Sequence, residues 1–429
     1  MVAGHTGTVA WIFFAVSVVG ALFTLNAYRP SRNQYLMALS FFPAWLTSEL
    51  ALVHVVWQGG ATALFVAAGA LDQWPGWAGL ATTLVSWFFL LRMVRDSASS
   101  QRAAAEALSE MFDKGVLDGI SDQLRDPADK GRLRRLLLPF GFKDRRVRVE
   151  RGIPFARGLG RDLTLDIVEP RQPGQGRPVL LHIHGGAWVL GFKERQAMPL
   201  MTHLAARGWV CVNIDYRLSP MATFPDHLVD VKRAIAWIRH NIEVHGGDPG
   251  FIVATGGSAG GHLTALCGLT ANDPEYQPGF EDVDTTVAAA VPFYGIYDFT
   301  NRLGTMPDRW VDRFIAPVVM KTGLVDDPEA YRKASPMDRV HVDAPPFLVV
   351  HGTADNLAPI EDAREFVRRL RDVSRSPVGY IEVPRGHHAF DMFYCGRGNA
   401  AVAAVTQFVL SVRSQHPAHP THERKRSTA

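Results

Sequence analysis

The chain has 429 residues, of which 47% are hydrophobic and 20% charged, with a net charge of +3. That length allows a large buried core and more than one unit, while so small a net charge, without a long basic stretch interleaved with aromatics, argues against nucleic-acid binding. The average conceals an asymmetry: before Arg92 only Arg29, Arg32, Glu49 and Asp72 are charged, and beyond it charge is dense and mixed.

Residues 1–95 read as a transmembrane region of about three helices. A helix needs about 20 apolar residues to cross a bilayer. Three apolar stretches are candidates: Thr8 to Tyr28, Tyr35 to Trp57 (carrying Pro43, Glu49 and His54), and Gly76 to Leu91. A shorter piece, Ala61 to Leu71, reads as interfacial or re-entrant. Trp57, Trp74 and Trp77 suit an aromatic belt. No Lys or Arg precedes the first stretch and further spans follow it, which argues against a cleaved signal peptide. Arg29 and Arg32 lie in the first loop, and Arg92, Arg95 and Arg102 follow the third span. The second loop, Gln58 to Pro75, has no Lys or Arg. Three spans with the N-terminus outside put every basic cluster inside, so the chain reads as a multi-pass membrane protein with a cytoplasmic C-terminal domain. Glu49 is either a functional intramembrane group or a helix-packing carboxyl.

Residues 96–145 read as a helical linker or cap. Ser97 to Lys114, Ala-rich with scattered charge, predicts an exposed helix. Arg132 to Phe142 (RLRRLLLPFGF) either lies on the membrane surface or covers a site. Over residues 146–413, β-like runs such as PVLLHIHGG, WVCVNIDYR, FIVATGG and PPFLVVHG alternate with helical patterns, for example Asp230 to Glu243 and Glu361 to Asp372. That alternation predicts an α/β domain, a mostly parallel sheet covered by helices. Residues 414–429 are polar and basic and predict a disordered tail, whose His416, His419 and His422 read as solvated rather than metal-binding. Cys211, Cys267 and Cys395 are odd in number and read as buried thiols.

Four local patterns carry chemistry. Gly256-Gly257-Ser258-Ala259-Gly260 follows an apolar strand and opens a helix. That context makes it a nucleophile elbow, with Ser258 held on a sharp turn at a helix N-terminus. His184-Gly185-Gly186-Ala187-Trp188 follows another strand. Its small residues let the N–H groups of Gly185, Gly186 or Ala187 join that of Ala259 as an oxyanion hole. Asp355 lies past a strand in HGTAD, and His388 past another in HHAF. The order Ser, Asp, His, each after a different strand, is that of an α/β-hydrolase triad.

From about Val147 to Val412 the chain resembles the hormone-sensitive-lipase-like branch of the α/β-hydrolases. The matching pieces are HGGAW, DYRLSP (Asp215 to Pro220), FPxxLxD (Phe224 to Asp230), GGSAGGHL, HGTADNL and GHHAF. With its multi-span N-terminus it is similar to membrane-associated actinobacterial carboxylesterases and lipases. Two positions depart from the family pattern: its third oxyanion-loop glycine is Ala187, and its Asp before the nucleophile is Gly257.

The resemblance implies a serine carboxylesterase or lipase that hydrolyses a small or lipid-like ester through an acyl-enzyme, with Ser258, Asp355 and His388 catalytic. It implies no cofactor and no metal. The family register selects His388 over His387, which then reads as a loop or rim residue. Asp215 and Arg217 read as structural, and Asn301 to Val340, with Trp310, Phe314 and Met320, as part of an acyl pocket or lid. An amidase or formamidase of the same fold and a non-catalytic membrane scaffold are the competing readings.

Overall fold

A computed structural model describes residues 2–33, 35–124, 137–157, 160, 162–307 and 309–416. Four helices come first: α1 (Val2–Tyr28), α2 (Met37–Glu49), α3 (Ala51–Ala67) and α4 (Trp74–Asp96). Trp11 meets Trp74 with ring centroids 5.3 Å apart. Thr83 Oγ1 donates to Ser17 Oγ (2.9 Å) and Thr24 pairs with Ser86 (2.7 Å). Tyr28 Oη donates to the Phe89 carbonyl (3.0 Å). The two sets of numbers rise together, so α1 and α4 run parallel. Helix α3 runs the other way, since Phe65 stacks on Phe13 at 5.2 Å while Ala51 sits with Ala27. Small residues and hydroxyl pairs between apolar helices supply packing and directed bonds where apolar side chains alone give little preference.

Two helices, one spanning Gly7–Tyr28 and one starting at Trp74, are long and apolar enough to cross a membrane. The expected second span, Tyr35 to Trp57, is different. It breaks at Leu50, where α2 and α3 meet at 84°, and counts as a third span only if the bent pair is taken as one. Helix α3 then runs unbroken through residues that read as a loop and a separate short piece.

The cause of the break lies in the following domain. Glu49, last in α2, pairs with Arg397 at 3.3 Å, both side chains buried. Arg397 also donates to Ser48 Oγ (3.1 Å), and the Cys395 thiol lies 3.3 Å from the Glu49 carboxylate. Glu49 is thus a packing carboxyl, and α2 ends where it is captured.

Helices α5 (Ser99–Met111) and α6 (Lys114–Leu124) follow. The expectation of an exposed helix is corrected: Ala104, Ala107 and Leu108, spaced on one face of α5, are buried with Phe112 in the core. Alanines carry little hydropathy, so this face does not announce itself. Residues 125–136, which include part of the RLRRLLLPFGF segment, lie outside the described residues.

Eight strands form one sheet: β1 (Val147–Ala156), β2 (Leu163–Pro170), β3 (Arg177–Ile183), β4 (Val210–Ile214), β5 (Gly247–Gly257), β6 (Ala289–Phe293), β7 (Phe347–Gly352) and β8 (Val378–Val383). Their order is β1-β2-β4-β3-β5-β6-β7-β8, antiparallel at β1–β2 and β2–β4 and parallel from β4 onward. Between and after the strands lie α7 (Met198–Ala205), α8 (Asp226–Asn241), α9 (Ala259–Leu269), α10 (Pro328–Ala334), α11 (Ile360–Val373) and α12 (Gly396–Gln415).

Alternation assigns the two faces. Val179, Leu181, Ile183, Ile252 and Ala254 pack with Leu228 and Ile235 of α8 and Leu263 of α9. Leu180, Phe251, Val253 and Val350 pack with α5, α7 and α12. Helix α12 takes in Ser414 and Gln415, so the described chain remains helical past the expected start of the tail, and the His416 ring packs on Phe251 at 5.1 Å. Residues 417–429, with His419 and His422, lie outside the described residues. Cys211, Cys267 and Cys395 are free and buried.

Removing one partner of a buried ion pair leaves an uncompensated charge and costs about 3–5 kcal/mol. Arg397→Met should therefore lower the denaturation midpoint of the full-length protein strongly, and Glu49→Gln in the same chain should recover part of the loss. Equal midpoints for wild type and Arg397→Met would show that the pair does not hold α2 to the domain.

Candidate active site

Strand β5 passes into α9 through Ser258 alone. Ser258 has φ 59° and ψ −121°, a left-handed backbone that a side-chain-bearing residue adopts only under constraint. Its N–H donates to the Phe293 carbonyl (3.0 Å), and its side chain stays partly exposed while its neighbours are buried. The glycines here are steric necessities: a Cβ on Gly256 or Gly260 would lie 2.4 Å or 2.0 Å from the Ile183 carbonyl oxygen. Ser258 thus heads a helix whose first N–H groups are unsatisfied within it, a setting that favours negative charge.

The 184–188 turn lies against this serine, since a Cβ on Gly185 would be 3.1 Å from Ser258 Cβ. The expectation for Gly185 is corrected. Its N–H donates to Gln196 Oε1 (2.7 Å) and is not available to a ligand, while Gln196 Nε2 donates back to the Gly185 carbonyl (3.1 Å). The N–H groups of Gly186, Ala187 and Ala259 have no acceptor among the described residues. Trp188 faces inward, its indole N–H on His262 Nδ1 (3.2 Å), and His262 Nε2 donates to the Ala334 carbonyl (2.7 Å). Burial pushes His262 down to about 3, so it stays neutral and acts as a strut.

Asp355 follows β7 and His388 follows β8. His388 Nδ1–H donates to Asp355 Oδ2 at 2.7 Å. The N–H groups of Leu357 and Ala358 donate to Asp355 Oδ1 (2.8 and 2.9 Å). Burial raises the Asp355 carboxyl, but the His388 and His351 rings and the Ala358 N–H outweigh it and hold the group below the ordinary carboxylate range, so it is ionised at neutral pH. The Tyr294 ring lies 4.6 Å from the His388 ring. Ser258 and His388 therefore both adjoin the corner Phe293–Tyr294 at the end of β6.

His387 points elsewhere. It is fully buried, not on a rim, and its Nε2–H donates to the Ala27 carbonyl of α1 (3.0 Å). Asp215 accepts from Lys193 (2.6 Å), and Arg217 makes paired bonds to Asp230 (2.8 and 2.9 Å), which locks the DYRLSP and FPxxLxD segments together. Among the residues 301–340, Trp310 and Phe314 pack against the core cluster that holds Trp188 and Phe299.

Sequence reasoning missed three contributors. Gln196 holds the 184–188 turn. Tyr294 donates to Asp391 and faces His388; burial raises both the phenol and the Asp391 carboxyl above their ordinary values. Phe41 of α2 stands edge-on to His388 at 6.0 Å. None belongs to a motif, and only the fold brings them near. A cleft lined by Arg32, Met37, Thr305, Met306 and Leu357 reaches Asp355, but neither Ser258 nor His388 lines it.

The strand order, and the strands that these turns follow, are those of the α/β-hydrolases. The BD-FAE family model matches residues 165–370. The chain is 40% identical over 415 residues to a Mycobacterium tuberculosis protein named "Probable carboxylic ester hydrolase LipM", covering 94% of this chain and 93% of that one. It is 48% identical over 259 residues to "Esterase LipQ" of the same organism, 60% of this chain and 61% of the relative. Among solved structures, a propionate-bound thermophilic esterase of the planctomycete Thermogutta terrifontis matches with TM-score 0.50 and 26% identity, over 63% of this chain and 93% of that one. The chain belongs to the hormone-sensitive-lipase-like branch of the fold, in the carboxylic ester hydrolase family that includes LipM.

The divergent partners of the two histidines predict divergent losses. On one soluble ester, His388→Ala should lose about 10⁶-fold in kcat and His387→Ala about tenfold or less, with the second variant less stable because a buried side chain is gone. An inactive His387→Ala beside an active His388→Ala would reverse the assignment.

Proposed function

We propose that the chain hydrolyses carboxylic esters by two-step acyl transfer, with Ser258 as nucleophile, His388 as general base and acid, and Asp355 as its orienting partner. The observation that carries this is the 2.7 Å bond from His388 Nδ1–H to Asp355. It fixes the tautomer that leaves Nε2 free to take a proton. Ser258 Oγ attacks the ester carbonyl carbon and its proton passes to His388 Nε2. The carbonyl oxygen becomes an oxyanion held by N–H groups of Gly186, Ala187 and Ala259. Collapse expels the alcohol, which takes the proton from the imidazolium. Water, deprotonated by the same ring, then attacks the acyl carbon; the bond to Ser258 Oγ breaks, the imidazolium returns its proton to Oγ, and the acid leaves. Asp355 stays ionised throughout and stabilises the imidazolium.

We also infer a membrane anchor of three crossings with the catalytic domain on the cytoplasmic side, and a small-molecule or lipid-like ester as substrate. Parallel α1 and α4, both ending beside the catalytic domain, require a return path, and α3, 17 residues long and so about 25 Å at 1.5 Å per residue, supplies it. Ala27 contacts His387, and Asp96 pairs with Arg385 at 3.4 Å. Arg29, Arg32, Arg92 and Arg95 fall on that side, where Lys and Arg concentrate in cytoplasmic loops.

Ser258→Ala should lower kcat by about 10⁴-fold or more in a protein that still folds, and a fluorophosphonate probe should label wild type and not the variant. Near-normal hydrolysis by the variant would end the nucleophile assignment. An alkaline phosphatase fused after Val412, active only outside the cytoplasm, should be silent, and strong activity would invert the topology.

A further inference from the structure

The segment that follows β8 touches the N-terminal helices at nearly every other residue. His387 donates to the Ala27 carbonyl (3.0 Å). The Ala389 carbonyl accepts the Trp45 indole N–H (2.9 Å). Phe393 stacks on Trp45 at 4.9 Å, and Arg397 pairs with Glu49 at 3.3 Å. The acid loop is gripped as well: Asn356 Nδ2, one residue past Asp355, donates to the carbonyls of Ser31 (2.9 Å) and Met37 (3.2 Å).

Within this set one contact falls on a strained residue. Ala389, directly after His388, has φ 61°, a left-handed conformation that crowds the Cβ of a non-glycine residue and persists where the surroundings over-determine it. That conformation turns the chain between the His388 ring and the buried Phe390. The carbonyl of this residue is the one that Trp45 holds. Phe41, one turn earlier on α2, stacks on Trp45 at 5.6 Å and stands edge-on to the His388 ring.

We propose that Trp45 is a positioning residue for His388, and that α2 is part of the catalytic centre as well as of the N-terminal helical region. The proposal rests on the reading of His388 as base. The indole bond and the Phe41 edge hold the strained turn, and with it the imidazole, in line with Ser258. Displacements near 1 Å at a reacting group can cost about 10²-fold, so loss of the bond acts on the chemical step and leaves substrate binding alone.

The test uses full-length protein in detergent micelles and a soluble short-chain ester. Trp45→Phe removes the N–H and keeps an aromatic ring. The sulfur isostere of tryptophan (benzothienylalanine) at position 45 keeps the whole bicyclic shape and lacks only the donor. Both should lower kcat by about tenfold to a hundredfold, with KM within about twofold, and slow fluorophosphonate labelling of Ser258 by a similar factor. The thermal midpoint of the isostere variant should stay near wild type. Trp57→Phe, on α3 with its indole on His54, should leave all four readouts unchanged. Wild-type kcat in a folded isostere variant would overturn the proposal, as would a loss that only follows the unfolded fraction. If His388→Ala is inactive while the Trp45 variants work normally, only this inference falls. If His388→Ala is itself active, the underlying reading falls.

Discussion

A single close approach governs the catalytic end of the molecule. Strand β5 must leave the sheet and become α9 within one residue, directly beside β3. The gap is so small that a Cβ on Gly256 or Gly260 would overlap the Ile183 carbonyl, and one on Gly185 would come within 2.5 Å of the Gly257 carbonyl. Backbone therefore touches backbone on both sides of Ser258, and the serine has no room to relax from its left-handed conformation. The 184–188 turn inherits its position from the same contact, which is why two motifs 70 residues apart meet. These glycines are set by the absence of space for a carbon atom, and their flexibility plays no part.

How far the sequence discloses this arrangement depends on whether a residue's role is local. Ser258, Asp355 and His388 each sit just past a strand in a short distinctive context, so their order and surroundings are readable. The parallel sheet is readable because its strands are apolar throughout and bounded by turns. Helix α5 is not, because Ala104 and Ala107 bury a face that hydropathy scores as neutral. The break at Leu50 is hidden inside an apolar run, since its cause, Arg397, lies 348 residues away. Gln196 and Tyr294 are invisible for the same reason: they act through geometry that only the assembled sheet creates.

The N-terminal helices do more than lengthen the chain. A buried pair such as Glu49–Arg397 adds little net stability over apolar residues of equal size, since desolvation offsets the attraction. What it gives is register: a unique partner for the end of α2 in otherwise interchangeable apolar packing. Once Glu49 is fixed, α2 lies along the 387–397 segment, Phe41 and Trp45 face the histidine loop, and the chain must bend by 84° to continue as α3. The bend, the docking and the aromatic wall beside His388 thus share one cause.

The two departures from the family pattern follow the same steric logic. At position 257 a Cβ would lie 2.7 Å from the Tyr294 ring. That tyrosine donates to Asp391 and lays its ring against His388. In the 184–188 turn, Gly186 has φ 131°, and a side chain there would strike the Leu190 carbonyl at 1.9 Å. Ala187 has φ 52°, which alanine can reach at a cost of about 1–2 kcal/mol. The glycine that no side chain can replace is retained, and the replaceable one is alanine. Beside Ser258, the N–H groups of Gly186, Ala187 and Ala259 remain without an acceptor among the described residues.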